Sequence, residues 1–267
     1  MPLLQLAILA LIQGVTEFLP ISSSGHLALF PALSGEADQG LMIDVAVHLG
    51  TLVAVVIFFR HDVARAAAGG VHVLTGRTRT YEAGLALRLV AATIPVVIAG
   101  LILSAAGLTD IFRNVEVIAW STVIFGVALW LCDRFGPLIR KAEDWSWRDA
   151  ILMGLAQAVA LIPGTSRSGI TISAARALGY ERTDAARLSM LMSIPTILAA
   201  GTLTAKDLLD AGDMALGADA AIAAGLSCVS ALLALTLMMR MLRTWTMTPF
   251  VLYRFALGGA LLIWLYA

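Results

Sequence analysis

Long apolar runs with few internal charges make up most of the chain, and polar turns break them at two places. The runs are continuous and rich in Ala and Leu. They lack the period-two alternation of a transmembrane strand, so they predict helices. A bilayer core of about 30 Å takes roughly 20 mostly apolar residues per helical span. Six stretches approach that length, at about 43–59, 85–106, 115–132, 186–203, 218–239 and 249–266. Two others are apolar but too short to cross. Pro2 to Phe18 is interrupted by Pro20 and the turn Ser22-Ser23-Ser24-Gly25 before a short piece at 26–33. Trp147 to Ile162 is interrupted at 163–169 before a short piece at 170–178. Helix, polar turn and short helix form a re-entrant hairpin when the irregular backbone is buried in protein or lines a wet cavity.

The two hairpins echo each other in sequence. QGVTEFLPISSSGH runs from Gln13 to His26 and QAVALIPGTSRSG from Gln157 to Gly169. In each, a glutamine opens the apolar run, a proline breaks it six or seven residues later, and a hydroxyl-rich turn reaches glycine twelve residues after the glutamine. Each half reads as one hairpin plus three spans, and an odd number of spans forces the second half to insert upside down. The predicted fold is an all-α polytopic membrane protein with six transmembrane helices and two re-entrant helical hairpins. Its single integral membrane domain, 1–267, would hold two inverted-topology repeats at 1–133 and 147–267.

Composition narrows the class. With 60% hydrophobic and 13% charged residues, an ordinary soluble domain is excluded. The formal net charge of zero carries no information on acidic partners, and no nucleic-acid partner is expected; the placement of the basic residues is what informs. Thirteen of them, Arg60, Arg65, Arg77, Arg79, Arg134, Arg140, Lys141, Arg148, Arg176, Arg182, Arg187, Arg240 and Arg243, fall in loops that the inverted arrangement puts on one face. Arg113 and Lys206 fall on the other. By the positive-inside rule the richer face is cytoplasmic, so both termini and the mouth of the first hairpin lie outside. Arg88 and Arg254 sit within about a turn of a basic loop and are expected to snorkel. Arg167, in the second turn, has no such route. The opening segment has no basic n-region or small-residue cleavage site and reads as retained. Cys132 and Cys228 read as packing residues.

Ionisable residues inside a membrane segment ask for a functional reason, and here they are Glu17, His26 and Arg167. The turn Gly164, Thr165, Ser166, Arg167, Ser168, Gly169 offers a guanidinium fork, glycine-flanked backbone N–H groups and the start of a helix. Together these hold a phosphate. The structural alternative for Arg167 is a tie to backbone carbonyls. The first turn adds a carboxylate, Glu17, the hydroxyls of Ser22, Ser23 and Ser24, and an imidazole, His26, a set suited to nucleophilic attack on phosphorus. A Glu17–His26 pair that only locks the hairpin, and serines that only cap helices, are the competing readings. Asp44 and His48 can approach the site, yet a helix-capping Asp and a packed His explain them as well. No zinc spacing, P-loop or dinucleotide fingerprint occurs.

Through QGVTEFLPISSSGH, HLGTL from His48 to Leu52, and ALIPGTSRSGITI from Ala160 to Ile172, the chain resembles the bacterial undecaprenyl-diphosphate phosphatases of the bacitracin-resistance type over nearly its full length. The resemblance implies hydrolysis of undecaprenyl diphosphate to undecaprenyl phosphate at the outer side of the inner membrane, recycling the carrier lipid for peptidoglycan synthesis. The family's motifs fall on Gln13 and Glu17, on Ser22, Ser23, Ser24 and His26, and on Ser166, Arg167 and Ser168. A divalent cation, Mg²⁺ or Ca²⁺, is implied with Glu17 and Gln13 as ligands, and Gln13 stands at the first acidic position of the pattern. Ser23 is expected to attack, with Glu17 or His26 as base, and Arg167, Ser166 and Ser168 to hold the phosphates. The resemblance leaves the choice of serine open. Partners are then a polyprenyl diphosphate and membrane lipids; a homodimer suits such a protein, although no motif demands it. A polyprenyl-phosphate flippase is the rival, because hairpins meeting at the midplane also build alternating access.

Overall fold

The computed structural model describes residues 2–35, 40–108, 114–211 and 217–267. Its described residues form an all-α polytopic membrane protein. The helices are α1 (Leu3–Thr16), α2 (Ser23–Ser34), α3 (Leu41–Phe58), α4 (Arg60–Leu74), α5 (Tyr81–Ala105), α6 (Val115–Phe135), α7 (Trp147–Val159), α8 (Arg167–Ala177), α9 (Arg182–Ala211), α10 (Gly217–Met241) and α11 (Thr248–Tyr266). A 3₁₀ turn, Ala142–Asp144, precedes α7. Helices α5, α6, α10, α11 and the first 21 residues of α9 are long and apolar enough to cross a bilayer. Outward-facing Ile94, Ile98, Ile124, Leu233, Leu237 and Leu252 stay exposed on them, as lipid-facing positions do. Arg113 lies outside the described residues, as does the side chain of Lys206.

Polar caps start the helices where the sequence offers them. Thr80 accepts from the Ala83 N–H (3.1 Å) and Asn114 from the Val117 N–H (2.8 Å), each satisfying one donor that a helix start leaves unpaired. Ser146 and Asp149 form a capping box on α7.

The hairpins interlock the two halves. Helix α1 packs on α10 and α7 packs on α5, so each first hairpin helix leans on a long span of the opposite half. A glycine makes each contact close. A Cβ on Gly14 would lie 2.5 Å from the Ser227 carbonyl, and one on Gly154 2.6 Å from the Ala92 carbonyl.

The stretch 60–84, expected as a basic loop, begins with helix α4, bent by 93° from α3. Fifteen residues with Ala66, Ala67 and Ala68 at the centre are good helix formers, but they are too few and too charged to register as a span. Asp62 in its first turn accepts from Arg187 on α9 at 2.5 and 2.9 Å.

Arg176, counted among the loop residues, is fully buried. Its Nε donates to Asp133 at 3.1 Å, and its terminal nitrogens donate to the carbonyls of Pro137, Gly136, Asp133 and Tyr180. Beside it, Asp149 accepts from Arg140 (2.5 Å), Ser146 (2.7 Å) and Tyr180 (2.7 Å). Burial by itself would raise the Asp149 carboxyl, but these donors hold it down to about 2. The start of α7 is thereby fastened to the turn between α8 and α9.

Candidate active site

Each hairpin turn ends in a serine whose backbone lies in the left-handed region, Ser22 with φ 77° and Ser166 with φ 72°. Such angles are uncommon for a residue with a side chain. Each of these serines caps the helix that follows. Ser22 Oγ accepts from the Gly25 N–H (3.3 Å) and Ser166 Oγ from the Gly169 N–H (3.1 Å). The second hydroxyl of each turn lies close by, Ser24 at 3.4 Å from Ser22 and Ser168 at 3.1 Å from Ser166. Two helix N-termini with matching geometry therefore border one cavity of about 550 Å³, each a favourable place for an anion.

At the centre stands Glu17, 8% exposed. Its Oε2 accepts from Ser23 Oγ at 2.6 Å and from the Gln13 amide at 3.0 Å, while its Oε1 accepts from Arg167 at 3.0 Å. Arg167 also donates to the Ser189 carbonyl (3.2 Å). The tie to a carbonyl and the carboxylate partner thus occur in the same side chain. Because Ser23 and Arg167 are the first residues of α2 and α8, the two turns bring hydroxyl, carboxylate and guanidinium together across 150 positions of sequence.

Glu17, Ser22, Ser23, Ser24, Ser166 and Arg167 line the cavity. Gly164, Thr165, Ser168 and Gly169 stand behind the lining and shape the turn. Ser168 Oγ donates to the Leu19 carbonyl of the first hairpin (2.9 Å). Gly164, with φ 87°, sits so near α6 that a Cβ would lie 2.6 Å from the Ile118 carbonyl.

His26 is not brought to Glu17. Its Nδ1 pairs with the Ser22 carbonyl (2.6 Å) and its Nε2 with the Tyr253 hydroxyl (2.6 Å), the rings stacked at 5.7 Å. The imidazole in the cavity is His48, with Nε2 at 3.8 Å from Glu17 Oε2. Its place on α3, packed against α1, explains the approach, and of the two readings that the sequence leaves open for His48, a place at the site is the one that the structure shows.

Arg254, expected to snorkel, is fully buried instead. It donates to the carbonyls of Pro20 (3.2 Å) in the first hairpin and of Gly164 (3.0 Å) and Thr165 (3.1 Å) in the second. It also reaches Thr122 (3.0 Å) and Ser121 (3.4 Å) on α6. Irregular turns leave carbonyls without helical donors, and inside a membrane they must be satisfied by protein. One guanidinium with five N–H donors does this for both turns at once.

For a cation, the donor set is small. Among the described residues no three His, Cys, Asp or Glu side chains gather, and both Glu17 oxygens already accept hydrogen bonds. Gln13 Oε1, however, is buried without a partner. Mg²⁺ is commonly held by one or two carboxylates together with substrate phosphates. Glu17 and the unpartnered Gln13 carbonyl beside it are the two oxygen donors that the site offers to such an ion.

The family described as bacitracin resistance protein BacA matches residues 6–260. The chain belongs to this family. Among its relatives, a protein of Ruegeria pomeroyi is 58% identical over 262 residues, covering 98% of both chains, and one of Dinoroseobacter shibae is 58% identical over 267 residues, covering all of both. A more distant one, from Teredinibacter turnerae, is 45% identical over 263 residues, with 98% of this chain and 99% of its own covered. All three are named undecaprenyl-diphosphatase. The BacA match spans both hairpins and the helices carrying Ser23, His48, Arg167 and Arg254.

Proposed function

We propose that this chain is an undecaprenyl-diphosphatase, hydrolysing undecaprenyl diphosphate to undecaprenyl phosphate and inorganic phosphate. The observation that carries the reading is Ser23 Oγ donating to Glu17 Oε2 at 2.6 Å while Arg167 holds the other carboxylate oxygen. In this scheme the Ser23 O–H proton passes to Glu17 as Oγ attacks the terminal phosphorus, and the bond to the bridging oxygen breaks with its electron pair leaving on the lipid phosphate. Water then cleaves the phosphoserine and the proton returns to Oγ. Arg167 and the N–H groups opening α2 and α8 hold the equatorial oxygens, which carry the charge of the transition state. His26, bonded to the Ser22 carbonyl, keeps the turn in shape.

A divalent cation, Mg²⁺ or Ca²⁺, would be held by Glu17 and Gln13 together with the substrate phosphates and would neutralise diphosphate charge. Mere passage of a phosphate lipid needs no hydroxyl bonded to a carboxylate, which favours hydrolysis over flipping. The excess of basic residues on one set of loops supports a periplasmic mouth, termini outside the cytoplasm, an inner-membrane location and an inverted relation between the halves. The test is phosphate release from undecaprenyl diphosphate by the purified protein, with and without EDTA, for wild type and Ser23→Ala. Metal-dependent release that vanishes in the variant supports the scheme; release that persists in Ser23→Ala overturns the assignment of the nucleophile.

A further inference from the structure

A separate cavity of about 220 Å³ lies where the end of α6, the start of α9 and the start of α11 meet. Asp133 in its wall comes twelve residues after Ser121, the α6 residue bonded to the second turn, so it sits roughly 18 Å along the helix from that contact. Both oxygens of Asp133 are occupied. Oδ1 accepts from Arg176 Nε (3.1 Å) and Arg182 Nε (2.7 Å), and Oδ2 from the Met247 N–H (3.0 Å). Arg182 makes its bond through Nε, so its two terminal nitrogens keep N–H groups that meet no acceptor among the described residues, and the guanidinium of Arg134 meets none either. With Arg176 buried behind them, three guanidinium groups stand around one carboxylate. At the rim, the hydroxyls of Thr246 and Thr248 lie 2.6 Å apart. One hydrogen makes the bond between them, which leaves the other to donate.

The unmatched donors ask for an anion, and their surroundings say of which kind. Guanidinium forks and hydroxyls match the oxygens of a phosphate. Trp130 borders the cavity and is 42% exposed on α6, the kind of side chain that settles at headgroup level. Helices α6 and α11 are long and apolar enough to cross the bilayer, and basic pockets between such helices take up anionic headgroups. We propose that this cavity binds the phosphate of an anionic phospholipid, gripped by Arg134 and the free end of Arg182, with a threonine hydroxyl donating to a further oxygen. The acyl chains lie outside, past Trp130. A zwitterionic headgroup suits the cavity poorly, because its ammonium would join the guanidinium groups without a carboxylate to meet it. Asp133 also ties Arg176 of α8 and the Met247 N–H that precedes α11. A lipid held by Arg182 therefore rests on a junction of α6, α8, α9 and α11, and binding there stabilises the fold.

The experiment adds dioleoyl phosphatidylglycerol, dioleoyl phosphatidylcholine or inorganic phosphate to the purified full chain in detergent, and reads the thermal midpoint together with the lipid retained on the folded protein in native mass spectra. The variants are Arg134→Gln, Arg182→Gln and Arg79→Gln, the last making the same charge change in a loop outside the cavity. Phosphatidylglycerol should raise the wild-type midpoint and stay bound, whereas phosphatidylcholine and inorganic phosphate at equal concentration should not. Its affinity should fall about fivefold in Arg134→Gln and in Arg182→Gln and hold in Arg79→Gln. Arg134 is exposed, so Arg134→Gln should keep the wild-type midpoint without lipid and lose only the increment that lipid adds, which separates binding from folding. Equal losses in all three variants would reduce the effect to general surface charge and overturn the site, as would wild-type retention in both cavity variants. Stabilisation by inorganic phosphate as strong as by phosphatidylglycerol would overturn the lipid as occupant, and equal retention of phosphatidylcholine would overturn the demand for net negative charge.

Discussion

The turns at Ser22–Gly25 and Ser166–Gly169 share a backbone but not a chemistry. Both place a serine in the left-handed region, both cap the next helix through that serine, and both pair it with a second hydroxyl. Where the first turn has Ser23, the second has Arg167. Where the first hairpin has Glu17, four residues after Gln13, the second has Leu161, four residues after Gln157. Two hairpins of matching backbone thus hold a hydroxyl bonded to a carboxylate on one side and a guanidinium on the other, which the proposed scheme uses as nucleophile, base and phosphate clamp. Neither turn alone could bind and attack a phosphate.

Breaking the cationic half gives the largest effect. Arg167→Ala should lower phosphate release by at least about 10³-fold, in the range of arginines that stabilise phosphoryl transfer. The loss should appear in kcat measured on purified protein, while Arg167→Lys, lacking the planar fork, should recover only a small part. Next comes the guanidinium that both turns share. Arg254→Met should take the donor from the turn carbonyls of Pro20 and Thr165 in an apolar interior and cost on the order of 3 kcal/mol or more, read as a drop in thermal midpoint in detergent together with lost activity.

Acid should separate the two hairpins. Asp149, held at about 2, belongs to the second hairpin, whereas α1 starts at Pro2 without a side-chain cap. A lowered carboxyl stabilises the fold fully above its ordinary value of about 4 and loses that contribution as pH falls towards about 2. Hydrogen exchange should therefore show α7 loosening before α1 over that window. Asp149→Asn should be less stable at neutral pH and flatter in acid. The smallest effect is expected from Ser22→Gly and Ser166→Gly. Each removes a cap but relieves a left-handed angle, so each should shift stability by less than about 1 kcal/mol, with similar midpoints for the two variants.

Much of the layout is legible in the sequence because its signals are local. A broken apolar run, a proline and a run of hydroxyls mark each hairpin within a dozen or so residues, and apolar length alone marks the spans. The contacts that finish the site are not local. Arg254 reaches Pro20 across 234 positions and Thr165 across 89; in sequence it looks like an arginine near a basic loop. His26 is a near neighbour of Glu17 along the chain, yet helix α2 turns it to Tyr253, and His48 arrives from α3 by packing. Arg176 reads as a loop cation until the fold wraps the chain from Asp133 to Pro137 around it. Helix α4 escapes the same reading, because a search for spans of about 20 apolar residues passes over a charged helix of 15.

The cavity between the turns has a volume of about 550 Å³, enough for a drug-sized ligand but far short of a full undecaprenyl chain. A diphosphate and its first isoprene units would fill it, against Leu49, Leu161 and Ile197, and the remaining tail would stay among the bilayer lipids. Most of the carrier's length then makes no demand on the protein. Under the proposed reading, substrates would meet the protein by diffusing in the plane of the membrane, and their effective concentration would be set by area rather than by volume.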